Sequence, residues 1–230
     1  MVAASKALKT KLSLFLVVSA AAFFGWYAVQ QARTSRLQAR IVEQAKSQAY
    51  AMRLEELPTN SILFGIQLIG SDTFRLHVAR SLLLLRLADF NSFRRVTNAI
   101  GIVREDPRSC VWVTNVPPIV DMSTKWSLRS LTWCAGGLAH EARHVELHRI
   151  RPKPPPFIVK NSGSKPAYPK RGYKDFQRDE LACFAFQAKV LKNLRAPRSE
   201  LNSVLSSDGT HFDVNRDGKY DWDDYRLHDW

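Results

Sequence analysis

The segment His140-Glu141-Ala142-Arg143-His144 is the feature that most limits how this chain can fold. Residues four apart lie on one face of an α-helix, so two histidines at this spacing can bind one metal ion only if the segment is helical. We therefore predict a helix over residues 128–150, with His140 and His144 as zinc ligands and Glu141 as the general base for an activated water. The alternative is an exposed helix face that carries two histidines.

A catalytic zinc site needs a third protein ligand and one open position. His148 is unsuitable, because the eight residues from His140 to His148 span about 12 Å of helix. The longer motif, with a third histidine ten positions after the first, is excluded because position 150 is isoleucine. Glu180, in a second predicted helix over residues 175–194, is the best remaining candidate, and Asp179 and Asp175 are the alternatives.

These residues resemble the gluzincin group of zinc metallopeptidases, in which HExxH is followed by a glutamate ligand on a second helix. The resemblance covers residues 140–194, about a quarter of the chain. It implies the two histidines and Glu180 as ligands, Glu141 as the base and a zincin-like core. It also implies that a predicted strand at 110–116 is the sheet edge along which an extended peptide substrate pairs. Tyr168 and Tyr173 are further candidates, for stabilising an oxyanion.

An uncharged and largely apolar run over residues 12–29 lies near the N-terminus. As a helix it would span about 27 Å, against a hydrocarbon thickness of about 30 Å, and Trp26 and Tyr27 fit an interfacial aromatic belt. We predict an uncleaved signal anchor over 1–31. The competing interpretation is a cleavable signal peptide, because the alanines at 20–22 resemble a cleavage site. Three basic residues flank each side, so the N-terminal amine decides the orientation and favours an extracytoplasmic body.

Hydrophobic periodicity predicts a mainly helical α+β fold. The predicted elements, besides the two helices and the strand above, are a polar helix at 33–56, a β-branched segment at 62–69 and helices at 74–87 and 90–100. The Pro-rich basic segment 151–175 is predicted to be a loop, with 157–174 as a lid over the site. We divide the chain into the anchor, a helical stalk at 32–57, a catalytic domain at 58–207 and a tail at 208–230.

The tail fits a twelve-residue calcium-binding loop. Gly218 stands at the sixth position, where such loops turn sharply. The other positions supply oxygen ligands, with a backbone carbonyl at 219: Asp213, Asn215, Asp217, Lys219, Asp221 and Asp224. The pattern resembles dockerin and related extracellular EF-hand-like modules, which close the site with aspartate, and this resemblance implies bound Ca²⁺. The alternative is an acidic solvated tail.

Cysteine usage limits the kind of site further. The chain has three cysteines and no CxxC pair, which excludes a cysteine-ligated zinc finger and a thioredoxin motif. Cys110 and Cys134 could pair in an oxidising compartment, and buried thiols are the alternative. Cys183 would then remain single.

The charge distribution bears on function. The net charge is +13, yet the last 23 residues carry seven aspartates against three basic residues. We expect a membrane-anchored zinc hydrolase, a metallopeptidase in the first instance, that uses Zn²⁺ and Ca²⁺ and acts on a peptide or protein substrate. The alternative is a non-catalytic envelope protein whose basic body binds anionic lipid or polymer. Nucleic-acid binding is disfavoured, because the basic loop contains no recognition helix or aromatic platform.

Overall fold

The computed structural model describes residues 2–58, 61–151, 172–219 and 224, with the backbone alone for residues 2–22. Its fold is mixed α+β and mostly helical, as predicted. The helices are α1 (Val2–Ala51), α2 (Asp72–Ala88), α3 (Phe90–Ala99), α4 (Thr124–Ser127), α5 (Leu131–Ile150), α6 (Tyr173–Asn193) and α7 (Arg198–Leu205). The strands are β1 (Ile62–Leu63), β2 (Ile66–Ile69), β3 (Ile102–Glu105), β4 (Cys110–Trp112) and β5 (Ile119–Met122).

Two compact units divide the chain, one over residues 2–43 and the other from Gln44 onward. The first unit is the larger part of α1. This helix ends at Ala51, short of the predicted end at residue 56, and one 3-10 turn over Leu54–Glu56 follows it. Within the residues whose side chains are described, no helix is long and apolar enough to cross a membrane. Residues 12–22 of the predicted span lie outside those side chains.

The five strands form one mixed sheet in the order β1-β2-β3-β5-β4. The central pairs β2–β3 and β3–β5 are parallel, whereas β1 and β4 join the two edges antiparallel. The segments predicted at 62–69 and 110–116 therefore lie toward the edges. The strand predicted at 110–116 is shorter in the structure, where β4 ends at Trp112. The chain turns there, and the Asn115 amide donates to the Trp112 carbonyl at 3.2 Å. Strands β3 and β5, in the centre, are additions to the predicted elements.

A buried carboxylate ties three strands together. Asp121 on β5 accepts two hydrogen bonds from the Arg104 guanidinium on β3, both at 2.9 Å, and one from the Trp112 indole on β4 at 2.6 Å. A buried charge is tolerated when its hydrogen-bonding positions are filled in this way. Asp121 therefore fastens the edge strand β4 to the centre of the sheet.

Helix α5 lies at the centre of the second unit and packs against α2, α3, α4 and α6. It begins at Leu131, because the first residues of the predicted helix form the separate short α4. Helix α2 buries the side chains whose spacing predicted that helix, all of them fully: Phe74, Val78, Leu82 and Leu85. The prediction for this helix is confirmed, including the face that it buries.

Two adjacent glycines, Gly136 and Gly137, lie inside α5, although glycine is about 1 kcal/mol less favourable than alanine in a helix. The indole of Trp126 lies directly on Gly137: a Cβ there would be 1.6 Å from Cη2 of the indole. At Gly136, a Cβ would meet Cδ2 of Leu191 on α6 at 2.9 Å. The glycine at 137 is therefore required by the indole, which covers α5 one turn before His140.

Glu200 on α7 holds the start of α5. Its buried carboxylate accepts hydrogen bonds from the hydroxyls of Ser130 and Thr132, each at 2.7 Å. Ser130 is also the N-cap of α5, because its hydroxyl oxygen accepts from the backbone amide of Trp133 at 2.9 Å. The cap and the neighbouring helix are thus joined through one carboxylate.

Glu146 joins α5 to α3. Its carboxylate accepts from Nε of Arg95 at 2.7 Å and from Nη1 of Arg143 at 3.0 Å. The Arg95 guanidinium also lies 3.9 Å from the ring centroid of Phe186 on α6. Burial alone would raise the pKa of Glu146, but the two arginines outweigh burial and hold that pKa below its ordinary value.

None of the three cysteines, all of them in the described part of the chain, forms a disulfide. Cys134 is buried in α5, and burial raises the pKa of its thiol to about 12 despite a hydrogen bond with Ser81. Cys110 instead lies beside Asp121, with its Sγ 3.8 Å from Oδ2. Of the two interpretations, the structure therefore has the thiols and not the Cys110–Cys134 pair.

Candidate metal centre

Helix α5 places His140 and His144 one turn apart on the face that packs against α6. Their Nε2 atoms are 3.1 Å apart, and their ring centroids are 4.9 Å apart. Two nitrogen ligands at 2.0–2.1 Å from one tetrahedral zinc ion would be about 3.4 Å from each other. The separation between the two imidazoles is therefore close to the one that a shared ion requires.

Helix α6 brings Glu180 to the same point. Oε2 of Glu180 lies 3.2 Å from Nε2 of His140, and Oε1 lies 3.2 Å from Nε2 of His144. The register of the two helices makes this possible, because α5 and α6 run antiparallel, with residue 136 beside residue 187 and His140 beside Phe184. The structure thus brings the three sequence-predicted ligands together.

The alternative ligands are engaged elsewhere. Asp179 forms an ion pair with Arg151, and Asp175 accepts a hydrogen bond from Nη2 of Arg178 at 2.5 Å. His148, two turns along α5 from His140, is exposed. Among the carboxylates that the sequence offered, Glu180 is the one that the structure puts beside both imidazoles.

Cys183, one turn after Glu180, is a donor that the sequence analysis missed. His140, His144 and Cys183 each offer a ligand atom, and these atoms lie within 4.8 Å of one another. The thiol is hydrogen-bonded to His144, and burial raises its pKa even though His144 acts in the opposite direction. Glu180 and Cys183 are thus both candidates for a third donor, and the oxygens of Glu180 lie 3.2 Å from the two imidazoles. A search for donors three residues from Glu180 on the same helix face would have found Cys183.

His211 is the second residue that the sequence analysis missed. Its Nε2 lies 3.5 Å from Oε2 of Glu180, and its ring packs 5.1 Å from that of Phe184. Its centroid is 6.5 Å from that of His140, whereas two imidazoles bound to one tetrahedral zinc would have centroids about 5 Å apart. The distance between Nε2 and Oε2 is close to that of two ligand atoms on one zinc ion, whereas the ring separation is wider than two bound imidazoles need, so His211 lies next to the three predicted ligands.

The neighbouring residue Phe212 explains how His211 reaches the site. Its buried ring packs against Tyr173 and Phe176 at the start of α6, at centroid distances of 5.1 and 5.9 Å. Gly209 has φ +73° and approaches the Gln177 carbonyl so closely that a Cβ would be 2.9 Å from it. The tail segment is thus held along α6. Tyr173, one of the two candidates for stabilising an oxyanion, is the first residue of α6 and packs against Phe212. The other candidate, Tyr168, lies outside the described residues, as does most of the predicted lid.

The carboxylates and imidazoles shift one another's titration. Burial would raise the pKa of Glu180, but His144 and His140 hold it well below its ordinary value. Burial would lower the pKa of His144, but Glu180 and Cys183 raise it well above its ordinary value. For Glu141, burial prevails over the two histidines and raises the pKa. Glu141 is therefore the carboxyl group of this site that takes up a proton most readily.

A cavity of about 460 Å³ opens beside these residues. Its walls come from the edge strand β4, from α5 and α6, from α7 and from the tail segment. Cys110 and Val111 of β4 line it together with His140, Glu141 and His144. The edge strand therefore borders the candidate centre, which is the position that the sequence analysis expected.

The described part of the acidic tail forms a tight loop. Asp213 accepts hydrogen bonds from the amides of Asp217 and Gly218, both at 3.0 Å, and Asn215 accepts from Asp217 at 2.9 Å. Buried Asp224 closes the loop by accepting from the Val214 amide at 2.9 Å. Asp217 accepts from the amide of the predicted carbonyl ligand Lys219 at 2.9 Å. Asp221 lies outside the described residues.

Comparisons with known proteins bring no family to this geometry. No protein-family model matches the chain, and no curated protein and no solved structure matches it either. The side chains of the site are consequently the basis for assigning a function.

Proposed function

We propose that this chain is a zinc-dependent hydrolase, and more narrowly a zincin-like metallopeptidase with Glu141 as general base. The observation that carries the proposal is the convergence of two imidazoles and a carboxylate, which are side chains of the types that bind zinc. The Nε2 atoms of His140 and His144 are 3.1 Å apart, and each lies 3.2 Å from an oxygen of Glu180. Two packed helices supply these donors, so the fold holds them in place before an ion binds.

The donor chemistry supports zinc. Imidazole nitrogen and carboxylate oxygen are ordinary zinc ligands. Three protein ligands would leave one position for water or substrate, which is the arrangement of catalytic rather than structural zinc.

The surrounding residues can perform hydrolysis. When bound, zinc would supply a Lewis acid that could activate water and polarise a carbonyl group. Glu141, which lines the cavity beside the two histidines, would accept the proton of the attacking water and pass it to the leaving amine. An extended peptide could add to the edge strand β4, which borders the cavity. A peptide or protein is accordingly the proposed substrate.

The remaining assignments are part of the same proposal. The tail would bind Ca²⁺ through the spaced oxygen donors from Asp213 to Asp224, and the loop hydrogen bonds around Gly218 support this. The run over residues 12–29 would anchor the chain in a membrane with its body on the extracytoplasmic side, which rests on the sequence alone. Calcium concentrations outside the cytoplasm suit that side.

The test is the zinc content and proteolytic activity of the full-length protein, with casein as the probe substrate. We expect one zinc per chain, lost in His144→Ala and weakened in Glu180→Ala. Glu141→Gln is the matched control, because it should keep the zinc while hydrolysis falls by about 10²–10⁴-fold.

Each other outcome corrects a different part of the proposal. Zinc that is retained in Glu180→Ala and lost in Cys183→Ser would make the thiol the third ligand. Zinc without hydrolysis that depends on Glu141 would make the metal structural. No zinc in the folded protein would overturn the proposal and favour the alternative, a basic envelope protein that binds anionic lipid or polymer.

A further inference from the structure

The cavity continues along the groove between α5 and α6, away from the candidate ligands. Trp133 precedes His140 by seven residues, and Gln187 follows Glu180 by seven, and both line the cavity. Because residue 136 lies beside residue 187, Gln187 is about one helical turn and Trp133 about two turns from the level of His140, or about 5 and 10 Å at 1.5 Å per residue. We name this part of the cavity the distal pocket.

The walls of the distal pocket are mainly apolar, although Ser203 beside Val204 also lines the cavity. Trp126, Trp133 and Val204 pack together there, and Phe184 of α6 joins the same apolar cluster. The acidic side chains that α5 and α6 contribute to the cavity are Glu141, Asp179 and Glu180. Glu141 and Glu180 lie at the level of the candidate ligands. Asp179 precedes Glu180 on α6 and therefore lies on the side of that level away from the distal pocket. A large apolar group would therefore be favoured in the distal pocket, and burial of a charge disfavoured.

Two hydrogen-bond donors interrupt these apolar walls. Nε1 of Trp133 and Nε2 of Gln187 are both buried, and neither has a hydrogen-bond partner among the described residues. Their side chains are 6% and 1% exposed. Buried N–H groups are nearly always paired, and an unpaired one costs free energy. A ligand that carries an acceptor would supply the missing partner.

We propose that the distal pocket is a specificity pocket for a tyrosine-like side chain, an aromatic ring that ends in a neutral oxygen. This rests on the proposed function, since the scissile bond must lie at the candidate zinc ligands. The ring would pack against the tryptophans, and the phenol oxygen would accept from the Trp133 indole and the Gln187 amide. Lysine and arginine side chains carry only donors, so neither could accept a hydrogen bond from the Trp133 indole or the Gln187 amide.

The test uses full-length zinc-loaded protein and three hydroxamates that bind zinc and differ only in their side chain. The side chains are benzyl, 4-hydroxybenzyl and 4-carboxybenzyl, and the affinities are measured by titration calorimetry. We expect the 4-hydroxybenzyl compound to bind about tenfold more tightly than the benzyl compound, the difference that one added hydrogen bond makes. The carboxylate should bind more weakly than the phenol.

Two conservative variants assign the donors. Trp133→Phe removes the indole N–H, and Gln187→Met removes the amide; each should reduce the tenfold ratio toward one while the protein keeps its zinc. Gln67→Met, at an exposed position on β2, is the matched control and should retain the ratio.

Equal affinities for the phenol and the phenyl compound would overturn the distal pocket's preference. So would a stronger affinity for the carboxylate, for which the Arg129 guanidinium over the Trp133 ring offers a charge. A ratio that survives both variants would overturn the assignment of the donors. Failure of all three compounds with zinc present also refutes the pocket, whereas a protein without zinc refutes the proposed function itself.

Discussion

Replacement of Gly137 by alanine tests why glycine occupies this position. The contact with Trp126 predicts that alanine destabilises the protein, whereas helix propensity alone predicts that alanine stabilises it. Alanine is favoured in a helix by about 1 kcal/mol. Against this, the new Cβ would lie 1.6 Å from Cη2 of the indole, so the ring would have to move by about 2 Å to reach ordinary contact. Overpacking of this kind costs about 1–3 kcal/mol, and the edge contact of Trp126 with Trp133 adds about 0.5–1.5. We expect a net destabilisation of about 1–3 kcal/mol.

Thermal unfolding of the full-length protein, followed by circular dichroism, measures this loss. For a chain of this size the expected decrease in Tm is about 2–12 °C. Gly136→Ala is the matched control: its neighbour is the flexible end of Leu191, so the effect should stay within about 1 kcal/mol of zero.

A second background makes the reasoning refutable. In a Trp126→Ala protein the indole is gone, so Gly137→Ala should stabilise by up to about 1 kcal/mol through helix propensity. If Gly137→Ala destabilises that background as much as it destabilises the wild type, the indole is not the cause.

Three further substitutions test the polar links of the fold. Because the pKa of Glu146 is lowered in the folded protein, its contribution is present above about pH 4.5 and is lost as the pH falls through the folded pKa. Glu146→Gln should therefore destabilise by about 1 kcal/mol at pH 7 and by progressively less as the pH falls below 4.5 in urea titrations, and a loss that does not change with pH would contradict this. Glu200→Ala leaves two hydroxyls without their acceptor and should cost about 2–3 kcal/mol by urea unfolding, more than Glu200→Gln, which keeps one oxygen; equal losses would argue against the hydrogen bonds. Asp121→Asn should speed amide hydrogen exchange in β4 by about tenfold or more, and unchanged exchange would show that β4 does not depend on the carboxylate.

The local parts of the molecule could be predicted from the sequence. The spacing of Phe74, Val78, Leu82 and Leu85 predicted both a helix and its buried face, because helix periodicity is a property of neighbouring residues. In the same way, HExxH predicted that His140 and His144 share one face. Glu180 followed from a resemblance, and the antiparallel packing of α5 and α6 puts it where that resemblance required.

The central strands were missed because their signal is not local. Strands β3 and β5 are four residues long, and they contain Arg104 and Asp121, which look like loop residues when each is read alone. Asp121 can be buried because the half-exposed Arg104 guanidinium pairs with it across the two strands. His211 was missed for a similar reason, since its position depends on Phe212 packing against α6 more than thirty residues earlier in the sequence.

The contact between Trp126 and Gly137 has a consequence for the evolution of this chain. A large aromatic residue at 126 is compatible only with glycine at 137, so neither position can change freely while the other stays. Related chains should therefore show correlated substitutions, with a smaller side chain at the first position wherever a Cβ occurs at the second. That covariation, eleven residues apart and directly before the histidine-glutamate pair, would identify distant relatives whose remaining sequence has diverged.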